Sequence, residues 1–342
     1  MNVLKNRYVF GISFLILVSL FLLVVINSSY SSYKILVRAF SAGSDQKVEV
    51  QTVDPPSIVS NVSLSSLAFG PQRHLFRVTK GSRLLIFLRD GKAQAAVGNG
   101  NNWKVYPTPL VDEEVQIVDG AVEKDELFLA VESKGRILFR KVNLKTFGDE
   151  LQAEGWLFNP MVTLDRSELA HRPSIEIVDS LPVVSWSLET ERAYPKSSKV
   201  RLMAAKGDPS TLQNWCNLSF SICGKEGAGF MSGATEDVYS TGTRAPYATL
   251  LRRLGDKTLI LWFFNKDEKM LKRLILQKEN NAWVKGEIRD EASLGDGSVT
   301  GFDISSVFAK EKDRAMVAFH NQEGQITVLS VAKDGSKKDL SW

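Results

Sequence analysis

The feature that most constrains this chain is a unit of short apolar runs separated by tight polar turns, seen in full over residues 243–288. Thr243-Arg-Ala-Pro246 leads into an apolar run at 247–251, and Gly255-Asp256 turns the chain into 258–264, which is rich in Leu, Ile, Trp and Phe. A charged turn at 265–269 feeds 270–276, and a third at 277–282 ends on Trp283 before 284–288. Runs of about six residues joined by such turns are expected to form an up-and-down antiparallel sheet.

The same unit recurs. Aligning on the Trp that closes the third turn gives Trp103, Trp156, Trp215, Trp283 and Trp342, at intervals of 53, 59, 68 and 59 residues. The first unit runs through 74–79, 83–88 and 92–97; the second through 117–122, 126–131 and 136–142. The third has 174–178, 182–187 and 199–205, and the fifth 302–308, 314–320 and 325–331. The second run of each unit is the most apolar, as in strands covered on both faces. Five sequential units imply an all-β fold, a five-bladed β-propeller of four-stranded antiparallel blades over residues 57–342, whose radial closure protects strand edges. A β-sandwich is the competing architecture, but it does not call for evenly spaced Trp. The fifth unit stops at Trp342, so its fourth strand is expected from 48–53 or 58–64.

Ahead of this body, residues 8–26 are nineteen without a charge. A helix of that length spans the hydrocarbon core of a bilayer, so an N-terminal transmembrane signal anchor is expected, with 1–7 as a cytoplasmic tip and 27–56 as stalk and linker. A cleaved signal peptide, which would make the body secreted, is the alternative. The long C-terminal body argues for an extracytoplasmic, single-pass arrangement. The net charge of +4 comes from 43 basic against 39 acidic residues; Lys5, Arg7, Lys34 and Arg38 account for all of it, and no acid precedes Asp45. The body is therefore neutral, and no nucleic-acid partner is expected. Cys216 and Cys223 are the two cysteines, and across a membrane they are expected to close a local disulfide. Two buried free thiols are the alternative. Asn61-Val-Ser63 and Asn217-Leu-Ser219 fit the glycosylation triplet.

At the third turn the chain resembles the Asp-box hairpin of sialidase-like propellers, Ser/Thr-x-Asp-x-Gly-x-Thr-Trp. The corresponding stretches are Gly98-Asn-Gly-Asn-Asn-Trp103, 207–215 and 277–283, none with the complete Ser-x-Asp-x-Gly. The resemblance implies a carboxylate-binding arginine cluster where inner strands begin. Arg73, Arg172 and Arg244 stand at such places, beside His74 and His171. Guanidinium forks bind carboxylates bidentately and stay charged when partly desolvated; pairing with turn acids is the plainer alternative. A glycosidase would also need a nucleophile and an acid. The Gly-rich stretch 224–243 supplies Tyr239 with Glu236, and Asp237 as acid/base, if it forms a loop reaching the channel mouth; Asp303, at the start of the last inner strand, is the other acid/base candidate.

His74, His171 and His320 lack metal-ligand spacing, so neither a metal nor a cofactor is expected, although His74, His171 and Asp303 would suit a channel metal. No phosphate-binding loop, nucleophile elbow or dinucleotide fingerprint occurs. The function expected is a membrane-anchored propeller binding an acidic glycan or a protein partner at its channel mouth. A sialidase-like glycoside hydrolase is the alternative, and a purely structural propeller a third.

Overall fold

The computed structural model describes residues 74–79, 82–99, 102–144, 146–147, 150–151, 157–190, 197–226, 235–241, 246–296, 305–307 and 314–341. The expected membrane anchor and stalk lie outside them, as do Trp156 and Trp342. Among the described residues no helix is long and apolar enough to cross a membrane.

The described strands form five successive antiparallel sheets, the blades of a five-bladed β-propeller. Sheet one is β1 (Leu75–Thr79), β2 (Ser82–Arg89), β3 (Lys92–Asn99) and β4 (Asn102–Val105). Sheet two is β5 (Ile117–Glu123), β6 (Glu126–Ser133) and β7 (Arg136–Asn143). A small hairpin, β8 (Thr146–Phe147) and β9 (Glu150–Leu151), precedes its outer pieces β10 (Leu157–Phe158) and β11 (Val162–Asp165). Sheet three is β12 (Ala170–Val178), β13 (Leu181–Thr190), β14 (Ser197–Ala205), β15 (Trp215–Cys216) and β16 (Glu236–Thr241). Sheet four is β17 (Ala248–Gly255), β18 (Thr258–Phe264), β19 (Met270–Glu279), β20 (Ala282–Lys285) and β21 (Arg289–Ser293). Sheet five is β22 (Ser305–Val307), β23 (Arg314–His320), β24 (Ile326–Ala332) and β25 (Lys337–Ser341).

The blade geometry follows from period-two burial. On β6, Leu127, Leu129 and Val131 pack toward sheet one, while Phe128 and Ala130 pack toward sheet three. On β18, Leu259, Leu261 and Phe263 face sheet three, and Ile260, Trp262 and Phe264 face sheet five. Each second strand thus feeds two cores at once, which is why it reads as a continuous apolar run. Burying each large side chain contributes about 1.5–3 kcal/mol, so the four seams between consecutive sheets carry the stability of the array. Hairpin turns follow local chemistry: Asp90-Gly91 and Asn280-Asn281 have positive φ at both turn residues, the twist that suits two-residue connections.

Three expectations are corrected. The fifth sheet supplies its own outer strand, because the Asp334-Gly335 turn reverses the chain directly into β25; no strand need be borrowed from upstream. The run at 284–288 is not one strand: its first two residues end β20 and β21 begins after it, the two strands pairing with different halves of β19. The stretch 224–243 is not a loop throughout, since β16 pairs with β14 from Ser198 to Leu202. Split outer strands recur, β10 and β11 on β7 and β15 and β16 on β14. Among the described tryptophans of the repeat, Trp103 lies in β4, Trp215 opens β15 and Trp283 lies in β20.

Candidate ligand site at the entry face

Hydrogen bonds step along β12 and β17 together. The Thr249 hydroxyl donates to the Arg172 carbonyl (2.9 Å), the Leu251 amide to the Ser174 hydroxyl (3.0 Å) and the Arg253 amide to the Glu176 carboxylate (3.2 Å). Constant offset means that these strands run in the same direction, so His171 and Arg172 lie at the face where they begin. Both sit inside β12, not ahead of it, at a register shift between His171 and Ser174.

Arg172 is held by its neighbours. Its backbone is left-handed (φ 54°), a conformation that is costly for a non-glycine residue, and Pro173 follows it. The Arg172 amide donates to Glu132 Oε2 at 2.8 Å, so a side chain of sheet two and a hydroxyl of sheet four clamp one residue of sheet three. Burial pulls the Arg172 guanidinium below its ordinary pKa, and the charges of Glu132 and Glu189 oppose that pull. Among the described residues the guanidinium makes no ion pair or hydrogen bond.

The other oxygen of Glu132 takes His171 Nδ1 at 2.9 Å. This hydrogen bond raises the His171 pKa, burial works against it, and the charges of Glu132 and Glu189 add to the rise. One level deeper, Asp119 Oδ2 accepts from the Ser174 hydroxyl (3.0 Å) and the Ile175 amide (2.9 Å) and lies 3.7 Å from Arg252 Nη1. Asp119 and Arg252 are buried. His74 belongs with this deeper level: burial lowers its pKa and the Asp119 charge raises it, and its Nδ1 is buried without a hydrogen-bond partner among the described residues.

Of the residues singled out from sequence, the structure joins His171 and Arg172 and places His74 at the Asp119 level. Arg73, Arg244 and Asp303 lie outside the described residues. Tyr239, Glu236 and Asp237 are elsewhere, on β16 at the outer edge of sheet three. Asp237 meets Arg201 Nε (2.7 Å) and Lys199 Nζ (2.9 Å); burial pushes its carboxyl up, but these two cations outweigh it and leave the pKa lowered. Glu236 pairs with Lys285 at 2.9 Å. The Tyr239 ring packs edge-on against Tyr247 (centroids 5.7 Å apart) with Lys272 Nζ 5.3 Å from its centre. The expectation that these three gather at the channel mouth is therefore corrected: Val238 buries its side chain and the segment completes the free edge of β14.

Cys216 and Cys223 form a disulfide with Cα atoms 4.0 Å apart. Within its loop the Asn217 side chain is occupied: Oδ1 accepts from the Ser219 hydroxyl (3.1 Å) and the Ser221 amide (3.0 Å), and Nδ2 donates to the Ser221 hydroxyl (3.1 Å). Among the described residues no cluster of His, Cys, Asp or Glu has metal-binding geometry. Glu132, Asp119, Glu189, Ser174, Thr249 and Arg252 escaped the sequence reading. For the charged ones the signal is a charge inside a largely apolar strand, as in Ile117-Val-Asp119-Gly-Ala-Val122.

No protein-family model matches the chain, and no curated protein is similar to it in sequence. Among solved structures, the chain is similar to AofleA from Arthrobotrys oligospora at 14% identity and TM-score 0.48, over 82% of this chain and 73% of that one. It is similar to the Aleuria aurantia lectin in complex with Fucα1-6GlcNAc at 10% identity and TM-score 0.47, over 81% and 80% of the two chains. The Hadza microbial sialidase Hz136 aligns at 9% identity and TM-score 0.46, over 81% of this chain and 59% of that one.

Proposed function

We propose that the protein is a membrane-anchored, extracytoplasmic β-propeller that binds an acidic ligand at the face where its inner strands begin, and does not transform it. The observation that carries this reading is Arg172. Its backbone is strained, two other sheets hold it in place, and its guanidinium is desolvated, feeling the charges of Glu132 and Glu189 but making no hydrogen bond or ion pair among the described residues. Stored strain of this kind is characteristic of ligand-binding positions. A carboxylated glycan is the ligand class; an acidic segment of a protein presents the same chemistry. Support for the anchor is the uncharged stretch 8–26, and support for an oxidising compartment is the Cys216–Cys223 disulfide.

The hydrolase reading is the weaker one, because Tyr239, Glu236 and Asp237 lie on the outer edge of sheet three among cations of their own. The test uses the full chain in detergent on an array of carboxylated and neutral glycans, beside acidic and neutral peptides. Retention of carboxylated glycans, lost in Arg172→Ala with the fold intact, is the expected result. Binding that survives Arg172→Ala overturns the site, and turnover of sialosides abolished by Tyr239→Phe restores the hydrolase. If nothing binds, the propeller is a structural part of a membrane assembly. Release from membranes by alkaline carbonate would overturn the anchor.

A further inference from the structure

We infer that His171 gates the anion affinity of Arg172 through their shared carboxylate, Glu132, so that the site holds a carboxylate ligand more tightly in mildly acidic than in neutral solution. This rests on the reading of Arg172 as the ligand-binding residue and adds its regulation.

The geometry is a relay of three groups. Glu132 reaches out from β6 and places one oxygen 2.9 Å from His171 Nδ1 and the other 2.8 Å from the Arg172 amide. One carboxylate thereby fixes the ring of one residue and the peptide of the next, across the seam between sheets two and three. Among the described residues, the charged groups acting on His171 are Glu132 from β6, Glu189 from β13 and Arg172 on its own strand. Those acting on Arg172 are the same two acids. From β17 the contact is uncharged, the Thr249 hydroxyl on the Arg172 carbonyl.

With a neutral imidazole, two carboxylates face one guanidinium, and the cluster repels an anion. With an imidazolium, Glu132 is neutralised in place and the remaining acid is balanced by Arg172, so an arriving carboxylate meets one negative charge fewer. At the short range and reduced dielectric of a half-buried cluster, one charge changes affinity by roughly tenfold. The Glu132 hydrogen bond favours the protonated ring, which moves the transition upward from the ordinary histidine range.

The test is calorimetric titration of the full chain in detergent with glucuronate, which stays ionised from pH 5.5 to 8.0, and with glucose as the uncharged control. The expected result is roughly tenfold tighter glucuronate binding at pH 5.5 than at pH 8.0, none with glucose, and none in Arg172→Ala. His171→Gln, which keeps a hydrogen-bond donor for Glu132 without the charge, should bind weakly with a flat profile. Glu132→Gln removes one repelling charge and the bond that favours the protonated ring, so it should bind more tightly at pH 8.0 and move the pH dependence to lower pH; near-UV circular dichroism verifies that either variant is folded. Arg172-dependent binding that does not change with pH would overturn the gate and leave the site standing. A pH dependence that persists in His171→Gln would overturn it equally. No saturable glucuronate binding at any pH would remove the gate and the site together.

Discussion

Trp186 and His171 show how much one side chain can decide in this molecule. The Trp186 indole donates to Asp165 Oδ2 at 2.9 Å, and both side chains are fully buried at the seam between sheets two and three. Trp186→Phe keeps most of the ring but removes the donor, leaving a buried carboxylate oxygen short of a partner. The expected loss is about 1–3 kcal/mol, seen as a lower urea midpoint at unchanged slope. An unchanged midpoint would mean that Arg201, 4.0 Å from the same oxygen, takes over the bond. His171 makes a different prediction. Its pKa is raised in the folded state, so the stability it contributes is fully present below its unfolded value near 6.5 and declines as pH rises through the folded value. Unfolding midpoints of the wild type should therefore fall across that window above 6.5. Those of His171→Gln should not show this step, and a step of equal size in both would assign it to another group.

Elements in this chain are legible in proportion to their length. Second strands such as β6 and β18 are continuous apolar runs of seven or eight residues, long enough to be read as strands covered on both faces, and turns such as Asp90-Gly91 announce themselves by residue type. Outer strands do not, because they are cut into pieces as short as the two residues of β10 and β15, too few to display any period. β16 was further masked by the glycines before it, which suggest a loop although Val238 and Tyr239 point to a strand. The site was harder still. Arg172 could be picked out because it opens an inner strand, but Glu132 lies forty residues away, and nothing local says that its carboxylate will reach the Arg172 amide. The Trp at the start of the outer strand is the element-scale device that sequence did expose, and Gly98 shows its mechanics. A Cβ at Gly98 would sit 2.3 Å from Trp103 Cδ2 and 2.7 Å from the Asn102 carbonyl oxygen, so the ring occupies the space that a side chain would need. Gly98→Ala should force Trp103 off β3 and cost about 1–3 kcal/mol. The sign is informative, because an unstrained Gly→Ala replacement in a strand would stabilise through the unfolded state. A midpoint equal to or above wild type would show that the indole does not rest on the backbone of residue 98.

At the scale of the whole propeller, the question is what makes successive blades behave as one body when each pair is joined by its own apolar seam. Seams alone would allow neighbouring sheets to open independently, as in linear repeat arrays. The inner strands provide a different kind of tie. Asp119 of sheet two accepts from Ser174 and Ile175 of sheet three and sits 3.7 Å from Arg252 of sheet four, and Ser174 also receives the Leu251 amide of sheet four. One buried carboxylate thus spans three blades. Removing one member of a buried charged network costs more than the network adds over a well-packed apolar equivalent, because the remaining charge stays desolvated. Asp119→Ala should accordingly destabilise by about 3 kcal/mol, well above a surface substitution, and the loss should be global. Tryptophan fluorescence and far-ultraviolet circular dichroism should continue to report one shared urea transition at a lower midpoint, since the tie that is weakened belongs to three sheets at once. If the two probes separate in Asp119→Ala, with one part of the array unfolding ahead of the rest, the blades depend on this carboxylate for their cooperativity. If they stay together and the midpoint barely moves, the apolar seams suffice and the Asp119 network is not what couples the blades.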